Sequence, residues 1–170
     1  MMQMNRSIPI KHSNRGFTLI ELLVTISIIA VLSAIGLVTF SAVLKQGRDS
    51  KRQSDLRSIQ SALELYFADQ FYYPAVGNSC SNGTLKFGCI LKDPAGNKTY
   101  INTVPADPTG SPQPQYLYSP VTSSGSGCDN SSKAMYCTTY CLFAKLENSN
   151  SGTGSCTDST GKYNFAITPP

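Results

Sequence analysis

The sequence predicts an α+β fold: one long N-terminal helix, membrane-spanning in its first half, packed on a small antiparallel β-sheet. Three observations predict it. Phe17 to Leu44 is an apolar run of 28 residues carrying a single charge, Glu21. As a helix rising about 1.5 Å per residue it extends about 42 Å, more than the ~30 Å of a bilayer core. Beyond it, apolar residues recur at three- and four-residue steps as far as Pro74, and after residue 114 three stretches carry strand-like alternation.

The chain divides on this reading into residues 1–16, a basic leader; 17–44, the membrane helix; 45–73, its amphipathic continuation; and 74–170, a globular β domain. The leader holds Arg6, Lys11, His12 and Arg15 and has no apolar core of its own. A secretory signal places its cleavage site after the apolar stretch, whereas here the candidate site precedes it. Cutting there leaves the anchor on the mature protein. An uncleaved signal anchor is the alternative. Basic residues flank both ends of the run, Arg15 before it and Lys45, Arg48, Lys51 and Arg52 after it, so charge alone does not orient the span.

Glu21 is the oddity of the run. A carboxylate at the centre of a spanning helix costs about 2.5–3.5 kcal/mol, and less near an interface. It is either solvated at headgroup depth or paired with a positive charge from another chain. Thr25, Ser27, Ser33, Ala34 and Gly36 are small or polar and permit close helix approach.

In the continuation, Leu56, Ile59, Leu63, Tyr66, Phe67 and Phe71 share the apolar face, while Arg52, Asp55, Arg57, Gln60, Glu64 and Asp69 fall on the others. One helix from Thr18 to Phe71 follows, about 80 Å long, with Gly47 its soft point and Pro74 its stop. Strands are expected at Gln115–Val121, Ala134–Leu146 and Lys162–Thr168. Tyr116 and Tyr118 share one face of the first. Tyr136, Tyr140, Leu142, Ala144 and Leu146 share one face of the second, and Tyr163, Phe165 and Ile167 one face of the third.

Six cysteines, Cys80, Cys89, Cys128, Cys137, Cys141 and Cys156, all lie beyond the anchor. An even set on one side points to an oxidising compartment and up to three disulfides, which places the β domain outside the cytoplasm. Paired C-x-x-C spacing for zinc is missing. Cys80 with Cys89 closes a ring of ten residues; the other four allow three pairings, of which Cys128 with Cys137 and Cys141 with Cys156 ties down the two long Ser- and Gly-rich loops.

Removing Arg6, Lys11 and Arg15 leaves 11 basic against 10 acidic side chains, so net charge gives no indication of nucleic-acid binding. The only histidine, His12, is in the leader, which leaves no serine–histidine–acid set in the mature domain. Neither a phosphate loop nor an H-E-x-x-H motif occurs. The chain does not read as an enzyme.

Gly16-Phe17-Thr18-Leu19-Ile20-Glu21, behind a short basic leader and opening a long apolar helix, resembles the type III signal of type IV prepilins and type II secretion pseudopilins. The resemblance implies a pilin-like ladle. It implies cleavage by prepilin peptidase between Gly16 and Phe17, N-methylation of Phe17, and pairing of Glu21 with the N-terminal amine of a neighbouring subunit. Tyr72-Tyr73-Pro74 and Val104-Pro105-Ala106-Asp107-Pro108-Thr109-Gly110 resemble the G-like major pseudopilins, in which tryptophan often stands where this chain has Thr109. The proline that many members carry late in the apolar helix is missing here. Some G-like members bind calcium in a loop between the last strands; Asp158, or secondarily Asp129, is the candidate ligand, and no other cofactor is implied.

The implied function is a structural subunit of a type IV pilus or type II secretion pseudopilus. The implied partners are further copies of the chain, prepilin peptidase, inner-membrane assembly proteins, minor pilins and the membrane. The subunit sits in the cytoplasmic membrane as a single-pass protein with its C-terminal domain extracytoplasmic, then in a filament in the periplasm or on the cell surface. Alternatives are a minor pilin with an adhesion or DNA-uptake role, and a membrane-tethered binding domain that never polymerises.

Overall fold

The computed structural model describes residues 16–109, 116–148, 156, 158 and 160–170, the side chains of residues 37 and 38 excepted. Two compact units are present, Met1–Ser41 and Ala42–Pro170. One helix, α1 (Leu19–Gln70), contributes to both, beginning one residue later and ending one residue earlier than expected. Gly47 does not interrupt it.

In the first unit every described side chain of the helix is exposed, large apolar ones such as Leu22, Ile26, Ile29 and Leu32 among them. The polar ones bond back onto the helix: Thr25 Oγ1 donates to the Leu22 carbonyl at 2.8 Å, Ser27 Oγ to Val24 at 2.7 Å and Thr39 Oγ1 to Ile35 at 3.1 Å. Hydroxyls satisfied in this way need no water. The helix is long and apolar enough to cross a membrane.

The second unit is built on the remainder of α1. Leu56, Ile59, Leu63 and Tyr66 are fully buried in its core. Each aliphatic one removes enough surface from water to contribute about 1.5–3 kcal/mol. Two residues assigned to the polar faces depart from expectation, since Arg52 and Asp55 are both buried. They are tolerated because each is paired: Asp55 accepts from Lys51 Nζ at 2.6 Å and the Tyr116 hydroxyl at 3.0 Å. Phe71 departs the other way. Expected on the apolar face, it lies just past the helix with φ +64° and its ring in solvent.

The chain leaves the helix through Tyr73 and Pro74. Tyr73 N–H donates to the Cys137 carbonyl at 2.7 Å, its ring stacks on Phe67 at 4.7 Å, and its hydroxyl reaches Glu64 at 3.2 Å. Glu64 accepts from Tyr140 as well, at 3.0 Å. The Pro74 carbonyl accepts the Tyr118 hydroxyl at 2.8 Å. Tyrosine and proline thus fasten the helix end to the sheet.

Four short strands follow. β1 (Ala75–Val76) pairs in parallel with β2 (Thr84–Leu85), and β3 (Leu91–Lys92) pairs antiparallel with β4 (Thr99–Ile101). The main sheet is antiparallel, in the order β5 (Leu117–Val121), β6 (Thr139–Ala144), β7 (Phe165–Ile167). The expected middle strand Ala134–Leu146 is divided: Lys133–Met135 forms a 3-10 turn, and β6 starts only at Thr139. Register places Tyr118 opposite Leu142, Pro120 opposite Tyr140, Leu142 opposite Ile167 and Ala144 opposite Phe165. This face joins the core cluster with α1, and Tyr163 covers Phe143 on the other, ring centroids 5.8 Å apart.

Disulfides join Cys80 to Cys89, Cys128 to Cys137 and Cys141 to Cys156. The last reaches from β6 into the loop 148–161, of which residues 149–155, 157 and 159 lie outside the described residues.

Candidate functional site

Gly16, Phe17 and Thr18 precede α1 in non-helical conformation and are exposed. The rest of the leader, with His12, Arg6, Lys11 and Arg15, lies outside the described residues. The space around Gly16 is open; a Cβ built there meets nothing within 4 Å. The fold therefore sets no steric demand for glycine at this position.

Thr18 is the helix N-cap and Glu21 closes a capping box with it. Thr18 N–H donates to Glu21 Oε2 at 2.9 Å and Thr18 Oγ1 donates to the same oxygen at 2.7 Å. Glu21 N–H in turn donates to Thr18 Oγ1 at 3.3 Å. The carboxylate so meets the positive end of the helix dipole and two donors. Solvation at headgroup depth and pairing with another chain were the expected fates; a local partner three residues away adds a third. Its signal was legible, because Thr18-Leu19-Ile20-Glu21 is the S/T-x-x-E pattern at the head of an apolar run.

A second polar cluster surrounds Arg52, whose side chain is only 1% exposed. Its Nε donates to Asp107 Oδ2 at 2.8 Å and Nη2 to Asp107 Oδ1 at 3.3 Å and Thr109 Oγ1 at 3.0 Å. Nη1 donates to Asp49 Oδ1 at 2.9 Å and Glu147 Oε1 at 3.0 Å. Arg48 grips Glu147 with both Nε and Nη2 at 2.6 Å. Asp49 also accepts the backbone N–H groups of Glu147 and Asn148, each at 2.8 Å. Arg52 thereby ties the helix to two loops remote in sequence.

The cluster gives the Asp107-Pro108-Thr109 stretch a role that turn chemistry alone does not. Thr109 N–H and hydroxyl both bond Asp107 Oδ1, orienting the carboxylate toward Arg52. Burial raises the Asp107 pKa, but Arg52 and Thr109 outweigh it and hold the group below its ordinary value. Arg48, then Arg52, hold Glu147 down at about 2. Arg52, though penalised by burial, is raised by its carboxylate partners. Sequence reading missed Arg52, Asp49 and Glu147 as a set, and no local pattern signals partners 55 and 95 residues apart.

Among the described residues, the partners of Asp158 are hydrogen-bond donors. Its oxygens accept from Thr160 N–H at 2.8 Å, Thr160 Oγ1 at 2.7 Å and Tyr163 N–H at 2.9 Å, closing a tight turn. Those bonds, chiefly from Thr160, bring its pKa to about 2. Asp129 makes a similar turn with Ser131. Among the described residues no group of three or more His, Cys, Asp or Glu stands together to hold a metal.

Residues 11–37 match the model of the prokaryotic N-terminal methylation motif. The type II secretion system core protein G of Pseudomonas aeruginosa is 29% identical over 115 residues, covering 63% of this chain and 75% of the relative. Its namesake in Escherichia coli is 32% identical over 99 residues, covering 56% and 67%. The type IV major pilin protein PilA of Myxococcus xanthus is 32% identical over 65 residues, covering 38% and 30%. No solved structure matches the chain at comparable significance. With a methylation motif at the head of a long apolar helix, an α+β domain behind it and two core protein G relatives matched over two thirds or more of their length, the chain belongs to the type IV pilin and type II secretion pseudopilin family, whose members are structural subunits rather than enzymes.

Proposed function

We propose that this chain is a filament subunit, cut by prepilin peptidase between Gly16 and Phe17, N-methylated on Phe17 and assembled with further copies of itself. The observation that carries the reading is the arrangement around Thr18. The bond to be cut lies in exposed, non-helical backbone immediately ahead of α1, and Glu21 is held on the first turn with its carboxylate turned back toward that end. Because the fold has room for a side chain at Gly16, selection for glycine there is assigned to the peptidase.

After cleavage the Phe17 amine of a neighbouring subunit becomes the partner of Glu21 and sets subunit register. In a low-dielectric bundle an unpaired carboxylate is costly, so register is enforced by the penalty for missing it. The Thr18 capping box keeps Glu21 satisfied while the subunit waits in the membrane. The β domain faces the extracytoplasmic side, where its disulfides persist. Inner-membrane assembly proteins and minor pilins are the further partners, and the filament extends into the periplasm or beyond the cell surface.

Glu21→Ala tests the reading. The variant should insert and be processed as the parent is, yet give little or no filament in a sheared-filament assay. Parental filament yield would contradict the role given to Glu21.

A further inference from the structure

Phe71 combines two unfavourable features. It is a bulky residue at φ +64°, a region in which such side chains are outliers, and the residue is 79% exposed. Among the described residues one other non-glycine, Asn130, has positive φ, and there the residue type is explained. Asn130 tolerates the conformation and its amide bonds the Tyr73 carbonyl and the Cys137 N–H, each at 2.8 Å. At Phe71 the fold uses the backbone, whose N–H donates to the Phe67 carbonyl at 2.8 Å, but not the ring. Glycine ends helices in this conformation at lower cost. A ring kept in solvent on strained backbone points to a partner that covers it.

A receptor of suitable character lies on the same chain. Gln60, Ser61, Glu64, Leu65 and Pro170 line an open, largely apolar groove of about 550 Å³ in which Leu65 is 59% exposed. Its walls are fixed beforehand. Gln60 Nε2 donates to the Thr168 carbonyl at 2.7 Å, holding the C-terminal segment against the helix, and Glu64 is pinned by Tyr73 and Tyr140.

We propose that the Phe71 ring seats in the Leu65–Pro170 groove of a second copy of this chain. The inference rests on the filament-subunit reading and adds a lateral contact to it. Phe71 lies beyond the end of α1, stands exposed and is not among the residues that line the groove of its own molecule. One molecule therefore does not fill its own groove, and each copy engages one neighbour through the ring and another through the groove. Joining two different patches is a heterologous contact, the class that generates rings or, where the rotation does not close, open helical arrays rather than two-fold dimers.

Two variants of the full chain test the proposal. Phe71→Gly relieves the strained backbone, so it should raise the melting temperature of the detergent-solubilised subunit while lowering filament yield several-fold. Leu65→Asp, at an exposed helix position, should leave melting unchanged and lower yield similarly. In filaments, Phe71→Cys co-expressed with Leu65→Cys should give a subunit dimer with a short thiol cross-linker, which neither variant gives alone. A lowered melting temperature for Phe71→Gly would make the ring structural and overturn the inference. Parental yields from both variants, or no cross-linked dimer, would overturn it while leaving the subunit reading intact. Failure of the parent chain to form filaments at all would instead overturn the subunit reading.

Discussion

Arg52 and Asp107 meet at 2.8 Å with 1% and 0% of their side chains exposed, a buried ion pair between the helix and a loop 55 residues away. Removing one member of such a pair costs about 3–5 kcal/mol, because the other is left charged and out of water. Asp107→Ala and Arg52→Met should each destabilise the domain by that order in urea unfolding of the solubilised chain. The double variant should cost less than the sum of the two singles. Additive effects would mean that the two side chains act independently.

The same cluster sets the acid limit of stability. Arg48 and then Arg52 depress Glu147 to about 2 from an ordinary 4.5, and Arg52 with Thr109 keeps Asp107 low despite its burial. A carboxyl depressed in the folded state adds stability that is complete above its unfolded pKa and is lost as pH falls to the folded one. Melting temperature should therefore hold steady near neutrality and fall from about pH 4.5 towards pH 2. Glu147→Gln should soften that limb, and an unchanged limb would contradict the assignment.

The alkaline limit belongs to the tyrosines. Burial pushes Tyr66, Tyr73, Tyr116, Tyr118 and Tyr140 above the ordinary value of 10.0. A group whose folded pKa is raised adds stability below its unfolded pKa and loses it as pH climbs through the folded one. Stability should decline above about pH 10, with the part of the 295 nm tyrosinate absorbance that belongs to these five residues appearing together with unfolding. Tyrosinate formed at any of these five residues in a still folded domain would contradict this.

Tyr73→Phe deletes the hydroxyl that reaches Glu64 and spares the ring stacked on Phe67. A hydrogen bond to a charged group is worth about 1.5–3 kcal/mol, the lower end applying here because Tyr140 still bonds the carboxylate. Tyr73→Ala, which also removes the stacking, should cost clearly more. Equal losses in urea unfolding would assign the whole effect to the hydroxyl and contradict the role given to the stacked ring.

Serine replacement of Cys141 and Cys156 opens a crosslink spanning 15 positions. The loss should be about 3 kcal/mol, by the restored entropy of the unfolded chain. The loop 148–161 should become the first site of limited proteolysis. Cleavage elsewhere first would assign the bridge to the sheet rather than the loop.

Helix and sheet faces were legible because periodicity is a local signal. Leu56, Ile59, Leu63 and Tyr66 announced the buried face of α1, and Tyr118, Tyr140 and Leu142 that of the sheet. Strands β1 to β4 were not, since pairs of two or three residues carry no period. Arg52 and Asp55 misled for a related reason. A helix wheel ranks residues by polarity, whereas burial of a charge depends on partners such as Asp107 and Tyr116 supplied from far along the chain. Phe71 misled because the helix ends one residue before it, and the change of φ swings its ring off the apolar stripe. At the N-terminus the motif and the Thr18–Glu21 spacing were both readable, since everything there lies within six residues.

The most direct test of the central claim is intact and N-terminal mass spectrometry, without reduction, of the chain taken from its native membrane or from sheared filaments. The account predicts a chain beginning at N-methylated Phe17 and lighter by six hydrogens, one pair for each disulfide. A chain that begins at Met1 would contradict it and leave an anchored domain that is never processed.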